Sequence, residues 1–331
     1  MTQTWKTYAA ISAVALGALG VFIWRKKKRT YVRVGKIAKI YFFPVKSMKG
    51  YEVSQGKCTK AGLEVNGLLD RAFMLISEDG ILLSQRQAPR LALLPAPQIS
   101  GKYLLLTQPS GPSVKVEIKD SPTPEDKVVE CRVHTDSVTV VDCGNEVASW
   151  FQAYLGMPGI RLVRYFPSLP ARKYLRKDPF YSKLKKEHPI GLQDLAAIHI
   201  LSQASIDDLN SRIEDDKISV RNFRPSILVE ECGAYDEDSW NYIKFKSGAE
   251  LEQFILTGRC LLTTVKPDLG VMSQKEPLVT LRKYRIPKDP EMLKKTGAVP
   301  VLGVGCAVIK SADVNVGDDI FAVVGKKPQM Q

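Results

Sequence analysis

Alternation of hydrophobic and polar residues through the first half of the chain predicts short strands joined by turns. Residues 36–45 are β-branched and aromatic, and apolar residues alternate with polar ones over 114–118. Residues 72–76 and 81–83 flank an Asp79-Gly80 turn signal, while apolar residues at 133 and 138–141 flank another predicted hairpin turn at 135–137. Many short strands with turns between them favour a barrel or a strongly curved sheet.

Helical spacing predicts one helix in the first half, over residues 145–155. Gly156 and Pro158 supply its stop signal. Its apolar face follows the i, i+3, i+4, i+7, i+8 pattern with Val147, Trp150, Phe151, Tyr154 and Leu155.

A second unit with strand signals follows. A helix is predicted after a capping box at residues 205–208, with Ile206, Leu209 and Ile213 on one face. Five apolar runs are interpreted as strands, at 198–201, 227–229, 251–255, 261–265 and 320–324.

The N-terminus carries the signals of a membrane anchor. Residues 8–24 contain no charge, and a helix of that length would be about 25 Å long, at the short end for a bilayer span. Lys6 precedes it and a basic run follows at 25–29, which predicts an uncleaved anchor with the body in the cytosol. A cleaved secretory signal, the alternative, carries its positive charge before the apolar run. The mitochondrial outer membrane suits this span, with the endoplasmic reticulum and the peroxisome as alternatives.

Composition narrows the class of protein. With 331 residues, 44% hydrophobic and 25% charged, the chain is of globular type and long enough for two domains. The net charge of +13 arises partly at the N-terminus, where residues 1–33 hold basic side chains and no acidic ones, so it does not argue for nucleic acid. Six cysteines without a CxxC pair and only three histidines exclude a disulfide scaffold and nearly exclude a multi-histidine metal site.

Three short segments place a cation beside small residues at the end of a strand, and they are the main candidates for chemistry. They lie at 44–50, 222–225 and 257–265. Such a set could bind an anion through charge-assisted hydrogen bonds, and Arg259 beside Cys260 would favour a thiolate. From the residues alone, two other interpretations remain open: Arg259 could only form a salt bridge, and Cys260 could be a buried structural residue. Dinucleotide, Walker, zinc-protease and serine-hydrolase motifs are absent from the sequence.

A basic stretch without clear periodicity, residues 164–188, is interpreted as an exposed connector. It is either a solvated loop or a docking surface or lid for an anionic partner. Prolines at 167, 170 and 179 interrupt its cations: Arg164, Arg172, Lys173, Arg176, Lys177, Lys183, Lys185 and Lys186.

Several motifs in a fixed order resemble the MOSC superfamily, and within it the family of mitochondrial amidoxime-reducing components. The resemblance runs from about residue 34 to residue 324. It implies an α+β, predominantly β fold: an anchor with its basic flank (1–30), a MOSC N-terminal-like β-barrel or curved-sheet domain (33–160), a basic connector (161–189) and a C-terminal MOSC β-barrel domain (190–326). The motifs include YFFPVKSMKG (41–50), LLDRAFMLISEDG (68–80), CRVHTDSVTVVDCG (131–144), NFRPSILV (222–229) and GRCLLTTVKPDLG (258–270).

What the resemblance implies for the site is a molybdopterin cofactor whose molybdenum is ligated by Cys260. Asp194 matches an acidic residue near the metal and is a candidate proton source. The chain departs from the family pattern at Leu195, Ala196 and Ser226, where hydroxyl or amide side chains are common. The remaining positions that match cofactor-binding residues are Lys46, Ser47, Arg71, Arg224, Gly258 and Arg259.

The reaction implied by the resemblance is reduction of N-hydroxylated compounds such as amidoximes and hydroxylamines, with nitrite as a further substrate. Electrons would come from NADH through cytochrome b5 reductase and cytochrome b5, because the chain has no flavin, haem or NADH motif of its own. Nothing in the sequence demands more than a monomer. A cofactor carrier resembling the MOSC module of the cofactor sulfurase, and a non-catalytic membrane-tethered binding protein, are the alternatives.

Overall fold

The computed structural model describes residues 29–170, 172–173, 189–214 and 217–331. Residues 8–24, the predicted anchor, lie outside these ranges, as does most of the basic stretch. Within the described ranges no helix is both long and apolar enough to cross a membrane.

Strands dominate the described chain. The helices are short: α1 (Asn145–Leu155), α2 (Gln203–Arg212), α3 (Val220–Phe223), α4 (Leu278–Arg282) and α5 (Pro290–Thr296). The strands are β1 (Val32–Phe42), β2 (Tyr51–Val53), β3 (Gln55–Thr59), β4 (Gly62–Val65), β5 (Leu68–Leu69), β6 (Phe73–Ile76), β7 (Gln98–Ser100), β8 (Tyr103–Leu106), β9 (Val114–Glu117), β10 (Val128–Val133), β11 (Asp136–Asp142), β12 (Arg161–Arg164), β13 (Ile198–Ser202), β14 (Ile227–Glu230), β15 (Trp240–Phe245), β16 (Glu250–Gly258), β17 (Val265–Lys266), β18 (Val271–Met272), β19 (Val301–Lys310), β20 (Ala312–Asn315) and β21 (Asp319–Val324).

Seven strands close into a barrel, in the order β14-β13-β19-β16-β15-β21-β1, and β1 returns to β14. All neighbours are antiparallel except β13 and β14, which are parallel. Because β1 lies far from the others in sequence, the barrel needs both halves of the chain. The predominantly β fold that the sequence predicted is confirmed.

Among the described residues there are four smaller sheets, one of which is the two-stranded pair of β17 and β18. The other three are larger. One contains β10, β11, β12 and β6, one contains β7, β8 and β9, and one joins β3, β4 and β5 to β20. The last sheet again pairs the two halves of the chain. The domain bounds 33–160 and 190–326 remain a prediction, since strands from both ranges share sheets.

Most of the predicted elements are found, and two local interpretations are wrong. Helix α1 has the predicted bounds, and Gly156 ends it with a left-handed φ of 67°. The strand predicted over 261–265 is instead a 3-10 turn, Leu261–Thr264, because the hydroxyls of Thr263 and Thr264 each donate to the carbonyl three residues earlier, at 2.8 Å. The capping box is also wrong: Ser202 caps α2 by accepting from the Ser205 N–H at 3.1 Å.

The interpretation of residues 164–188 as an exposed connector is wrong for two of its arginines. Arg164 ends β12 and is buried because its guanidinium donates to the carbonyl of Lys119 and stacks 4.2 Å from the Phe166 ring. Arg172 is buried because it forms an ion pair with Asp136, with a shortest distance of 2.8 Å. The lysines at 183, 185 and 186 lie outside the described residues.

Candidate functional site

A pocket of about 440 Å³ opens where the end of the barrel meets the loops of the first half of the chain. Loops and turns next to the strands supply most of its wall, and there polar side chains and backbone groups are available for a ligand. The pocket brings together every residue predicted from the sequence: Lys46, Ser47, Arg71, Asp194, Leu195, Ala196, Arg224, Ser226, Gly258, Arg259 and Cys260.

Backbone strain is concentrated around this pocket. Eight described non-glycine residues have positive φ, and four of them line the pocket, namely Ser47 (66°), Arg71 (57°), His134 (57°) and Arg224 (56°). The left-handed region is costly for residues with a side chain, and such strain persists where the surrounding structure holds it for function. The distribution therefore indicates a functional site.

Cys260 presents the only exposed thiol among the six cysteines. It follows β16 and caps the 3-10 turn, with its carbonyl accepting from the N–H of Thr263 at 3.0 Å and the hydroxyl at 2.8 Å. The turn fixes the backbone while leaving the sulfur free to bind a ligand. Among the described residues, no group of three or more histidine, cysteine or acidic side chains is placed to hold a metal. A metal here would need a cofactor that supplies most of its own ligands.

Arg259 is a structural arginine. Its Nε donates to the Leu302 carbonyl at 2.9 Å, and its Nη2 lies 2.7 Å from Nε2 of His199. The carbonyl of Phe223 accepts from Nη1 at 3.4 Å. Burial lowers the pKa of Arg259 to about 9. With these donors directed at protein acceptors, this guanidinium holds the Cys260 turn against β19.

Arg71 and Arg224 converge on one aromatic ring. Their guanidinium carbons lie 4.5 and 4.4 Å from the centre of the Phe43 ring. Arg71 also pairs with the buried Asp70 and donates to the carbonyl of Arg224 at 2.9 Å. The ring and these contacts hold two like charges close together, and an anion between them would relieve their repulsion.

Arg224 has an unsatisfied donor. Its Nη2 atom is shielded from solvent and finds no hydrogen-bond partner among the described residues. Burial, followed by the charge of Arg71, lowers its pKa to about 9. A buried unpaired donor costs about 1–3 kcal/mol, more for a charged group, so its presence indicates an absent partner. A phosphate fits this position, because a guanidinium binds phosphate oxygens in a bidentate manner. The residues present therefore fit a pterin phosphate.

Lys46 and Asp194 form the polar floor of the pocket. The Lys46 ammonium is buried and lies 2.6 Å from Oδ1 of Asp194. Burial lowers the pKa of Lys46, and Asp194 partly offsets this. Desolvation raises the pKa of Asp194, but the Lys46 charge and the hydrogen bond from His134 outweigh it, so the pKa lies well below its usual range. A carboxyl that stays ionised is a poor proton source, and Asp194 instead serves as the acceptor that positions Lys46 and His134.

At the three positions where the sequence departs from the family pattern, the backbone is available to a ligand or the side chain is used internally. Within the described chain the N–H groups of Leu195 and Ala196 donate to no residue, so they can serve an anion. The Ser226 hydroxyl accepts from the N–H of His199 at 3.4 Å, between β14 and β13. Gly258, which follows the family pattern, is constrained by packing, because a Cβ at this position would lie 2.9 Å from a methyl carbon of Val299.

Three functional candidates escaped the sequence analysis. His134, His199 and the buried Arg172 line the same pocket, although they come from distant parts of the chain. Burial and the charge of Arg259 lower the pKa of His199 well below its usual range, so its ring is neutral. The only sequence signal was the rarity of histidine, three in 331 residues. Hairpin turns and strand pairings that place these residues together are tertiary features.

Comparison with known proteins identifies the family of this chain. Residues 34–158 match the MOSC N-terminal beta barrel domain, and residues 187–321 match the MOSC domain. The chain is 37% identical to mitochondrial amidoxime-reducing component 1 of Danio rerio, over 96% of this chain and 94% of that protein. It is 36% identical to component 1 of Homo sapiens, over 96% and 93%, and 34% identical to component 2 of Rattus norvegicus, over 97% and 94%. The chain belongs to the MOSC-domain family of mitochondrial amidoxime-reducing components.

Proposed function

We propose that this protein is a molybdenum-cofactor-dependent reductase of N-hydroxylated compounds, with amidoximes and hydroxylamines as substrates and nitrite as a further one. The observation that carries the proposal is the pairing, in one pocket, of an exposed thiol at Cys260 with an unsatisfied guanidinium at Arg224. A thiolate suits a dithiolene-bound metal, and the guanidinium suits the phosphate of the same cofactor.

The roles of the residues follow from their contacts. Cys260 would ligate the molybdenum, and Arg71 with Arg224 would bind the pterin phosphate. Lys46, Ser47, Leu195 and Ala196 would contact the cofactor along the floor of the pocket. When bound, the cofactor supplies a metal that takes up two electrons and accepts an oxygen atom. Asp194 holds Lys46 in place, while Gly258, Arg259 and Ser226 support the backbone around the pocket.

Electrons would come from NADH through cytochrome b5 reductase and cytochrome b5. Cytochrome b5 is acidic, and the basic lysines 183, 185 and 186 would form its docking surface. Neutralising these three lysines should slow electron transfer at low salt and reduce its salt dependence. An unchanged rate at low salt would reject this docking surface.

The mitochondrial outer membrane is the proposed location, with residues 8–24 as a single anchor and the body facing the cytosol. Support comes from the charge pattern of the sequence and from the names of the relatives. Import of a fluorescent fusion with and without residues 8–24 tests it. Retention of the shortened protein on mitochondria would contradict the anchor.

Turnover separates the reductase from its alternatives. The full chain, solubilised in detergent, should reduce benzamidoxime to benzamidine when NADH, cytochrome b5 reductase and cytochrome b5 are supplied. A carrier of the cofactor would contain molybdenum but show no turnover. A non-catalytic tethered protein would purify without molybdenum, and Cys260→Ser would change nothing.

A further inference from the structure

The proposed reaction consumes protons as well as electrons. For a hydroxylamine the balance is R–NHOH + 2 e⁻ + 2 H⁺ → R–NH₂ + H₂O: the N–O bond breaks, one proton goes to nitrogen, and one goes to the departing oxygen. The electrons come from the external donor named above. A proton donor must line the pocket, be reachable from solvent and exchange its proton near neutral pH.

Most titratable groups lining the pocket fail one of these conditions. Asp194 is held ionised by Lys46, which is itself a buried cation. Asp136 is paired with Arg172 in the protein interior. His199 is neutral, and its Nε2 accepts from Arg259, so it carries no proton on that nitrogen to give. Cys260 is reserved for the metal.

His134 meets the conditions. It occupies the turn between β10 and β11 and reaches the pocket from the first half of the chain, with 42% of its side chain exposed. Its Nε2 donates to Oδ1 of Asp194 at 2.9 Å, and its Nδ1 lies 3.4 Å from Nη2 of Arg86. Histidine is the side chain whose usual titration range spans neutral pH.

Charged groups of both signs face His134. The Asp194 carboxylate lies against its Nε2, the Arg86 guanidinium lies near its Nδ1, and Lys46 lies behind the carboxylate. Asp136, at the start of β11 beside this turn, is paired with Arg172. A left-handed φ of 57° at His134 shows that the turn is held in this orientation at an energetic cost.

We propose that His134 is the proton-delivery residue of this pocket and that Asp194 is its positioning residue. The proposal rests on the proposed function and adds to it the group that carries protons from solvent to the cleaved N–O bond.

Rescue by a diffusible base tests the role directly. His134→Ala in the full chain should keep the wild-type molybdenum content but lose about 100-fold in kcat. Because the side chain is solvent-reachable, added imidazole should restore part of the rate, and alkylammonium of similar basicity should restore less. Parallel loss of molybdenum, an unchanged kcat, or a lost rate that imidazole does not raise would each overturn the proposal.

The hydrogen bond from His134 provides a readout independent of turnover. In the protein as purified, the Nε2–H proton of His134, assigned by its disappearance in His134→Gln, should exchange with water faster in Asp194→Asn than in the wild type, because its carboxylate acceptor at 2.9 Å is lost. Equal exchange in the two proteins would overturn the pairing with Asp194. If the wild type contains no molybdenum and shows no turnover, the proposed function fails, and this exchange rate still reports whether His134 and Asp194 are paired.

Discussion

The two sides of the pocket use buried arginines in opposite ways. On the β16 side, Arg259 has its donors satisfied by the carbonyls of Leu302 and Phe223 and by His199. On the α3 side, Arg224 keeps a buried Nη2 without a partner among the described residues. Burial lowers the pKa of both to about 9. Burial and charge therefore do not distinguish the two arginines. The hydrogen-bond inventory separates them only together with position, because the buried Nε of Arg164 also lacks a partner among the described residues but Arg164 lies outside the pocket lining.

The largest expected effect concerns the sulfur that the β16 side presents. Cys260→Ala should reduce benzamidoxime turnover by on the order of 100-fold or more, because no other described thiol is exposed to replace it. Thermal unfolding of the cofactor-free protein should be unchanged, since an exposed thiol contributes little to packing. The half-buried Cys232, which lies outside the pocket lining, is the control, and Cys232→Ala should retain turnover. Full activity of Cys260→Ala would contradict its assignment as metal ligand.

The second prediction concerns the structural arginine. Arg259→Met should lower the free energy of unfolding by about 3 kcal/mol, because it leaves buried carbonyls without their charged donor. Arg221→Met is a matched control: this arginine pairs with Asp268, which is 83% exposed, and its loss should cost at most about 1 kcal/mol. Urea unfolding of both variants measures the difference. Equal stabilities would mean that Arg259 does not hold the turn.

The third prediction concerns Arg224, the arginine proposed to bind the cofactor. Arg224→Met should change the stability of the cofactor-free protein by less than about 1 kcal/mol, since the lost stacking on Phe43 is offset by removal of a buried unpaired cation. Cofactor retention should fall by on the order of 30-fold, or about 2 kcal/mol. Equilibrium dialysis followed by molybdenum analysis measures retention. A large loss of stability with unchanged retention would reverse the roles of the two arginines.

The smallest effect concerns the floor between the two sides. The pKa of Asp194 in the folded protein is held below its usual range. The ionised carboxylate therefore contributes to the free energy of unfolding above about pH 4, and this contribution is lost as the pH falls through the lower folded-state pKa. Wild type should exceed Asp194→Asn in stability at pH 7, by at most about 1 kcal/mol because the side chain is 67% exposed, and this advantage should shrink below pH 4. Asp268→Asn serves as the exposed control. An advantage that grows on acidification would contradict the Lys46 pairing.

Local chemistry explains which parts of the fold and the site could be predicted from the sequence. Helix α1 was predictable because its apolar periodicity and Gly156 are local signals. The 3-10 turn after Cys260 was not predictable, because two threonine hydroxyls donate to backbone carbonyls three residues earlier and so stabilise a turn where the β-branched run predicts a strand. Closure of the barrel by β1 depends on pairing between residues about two hundred positions apart, which no local pattern encodes.

The site residues also include some that local sequence patterns predict and others that only the tertiary structure reveals. The three cationic segments could be found from the sequence because each has a local pattern. The resemblance to the family then supplied the expectation that all three contact one cofactor. The distinct roles proposed for Arg224 and Arg259 could not be predicted from the sequence, since both arginines follow small or aromatic residues near strand ends. Only the positions of Leu302, His199 and Phe43 separate them. His134 reaches the pocket through the hairpin of β10 and β11 and its contact with Asp194, a contact across 60 residues.

The central claim is that this pocket holds a molybdenum cofactor between Cys260 and Arg224. Molybdenum content should be measured on the full chain purified in detergent from a host that makes the pterin cofactor, as wild type, Cys260→Ala and Arg224→Met. We expect near-stoichiometric molybdenum in the wild type, an altered metal environment or lost metal in Cys260→Ala, and reduced content in Arg224→Met. A well-folded wild type without molybdenum would contradict the claim.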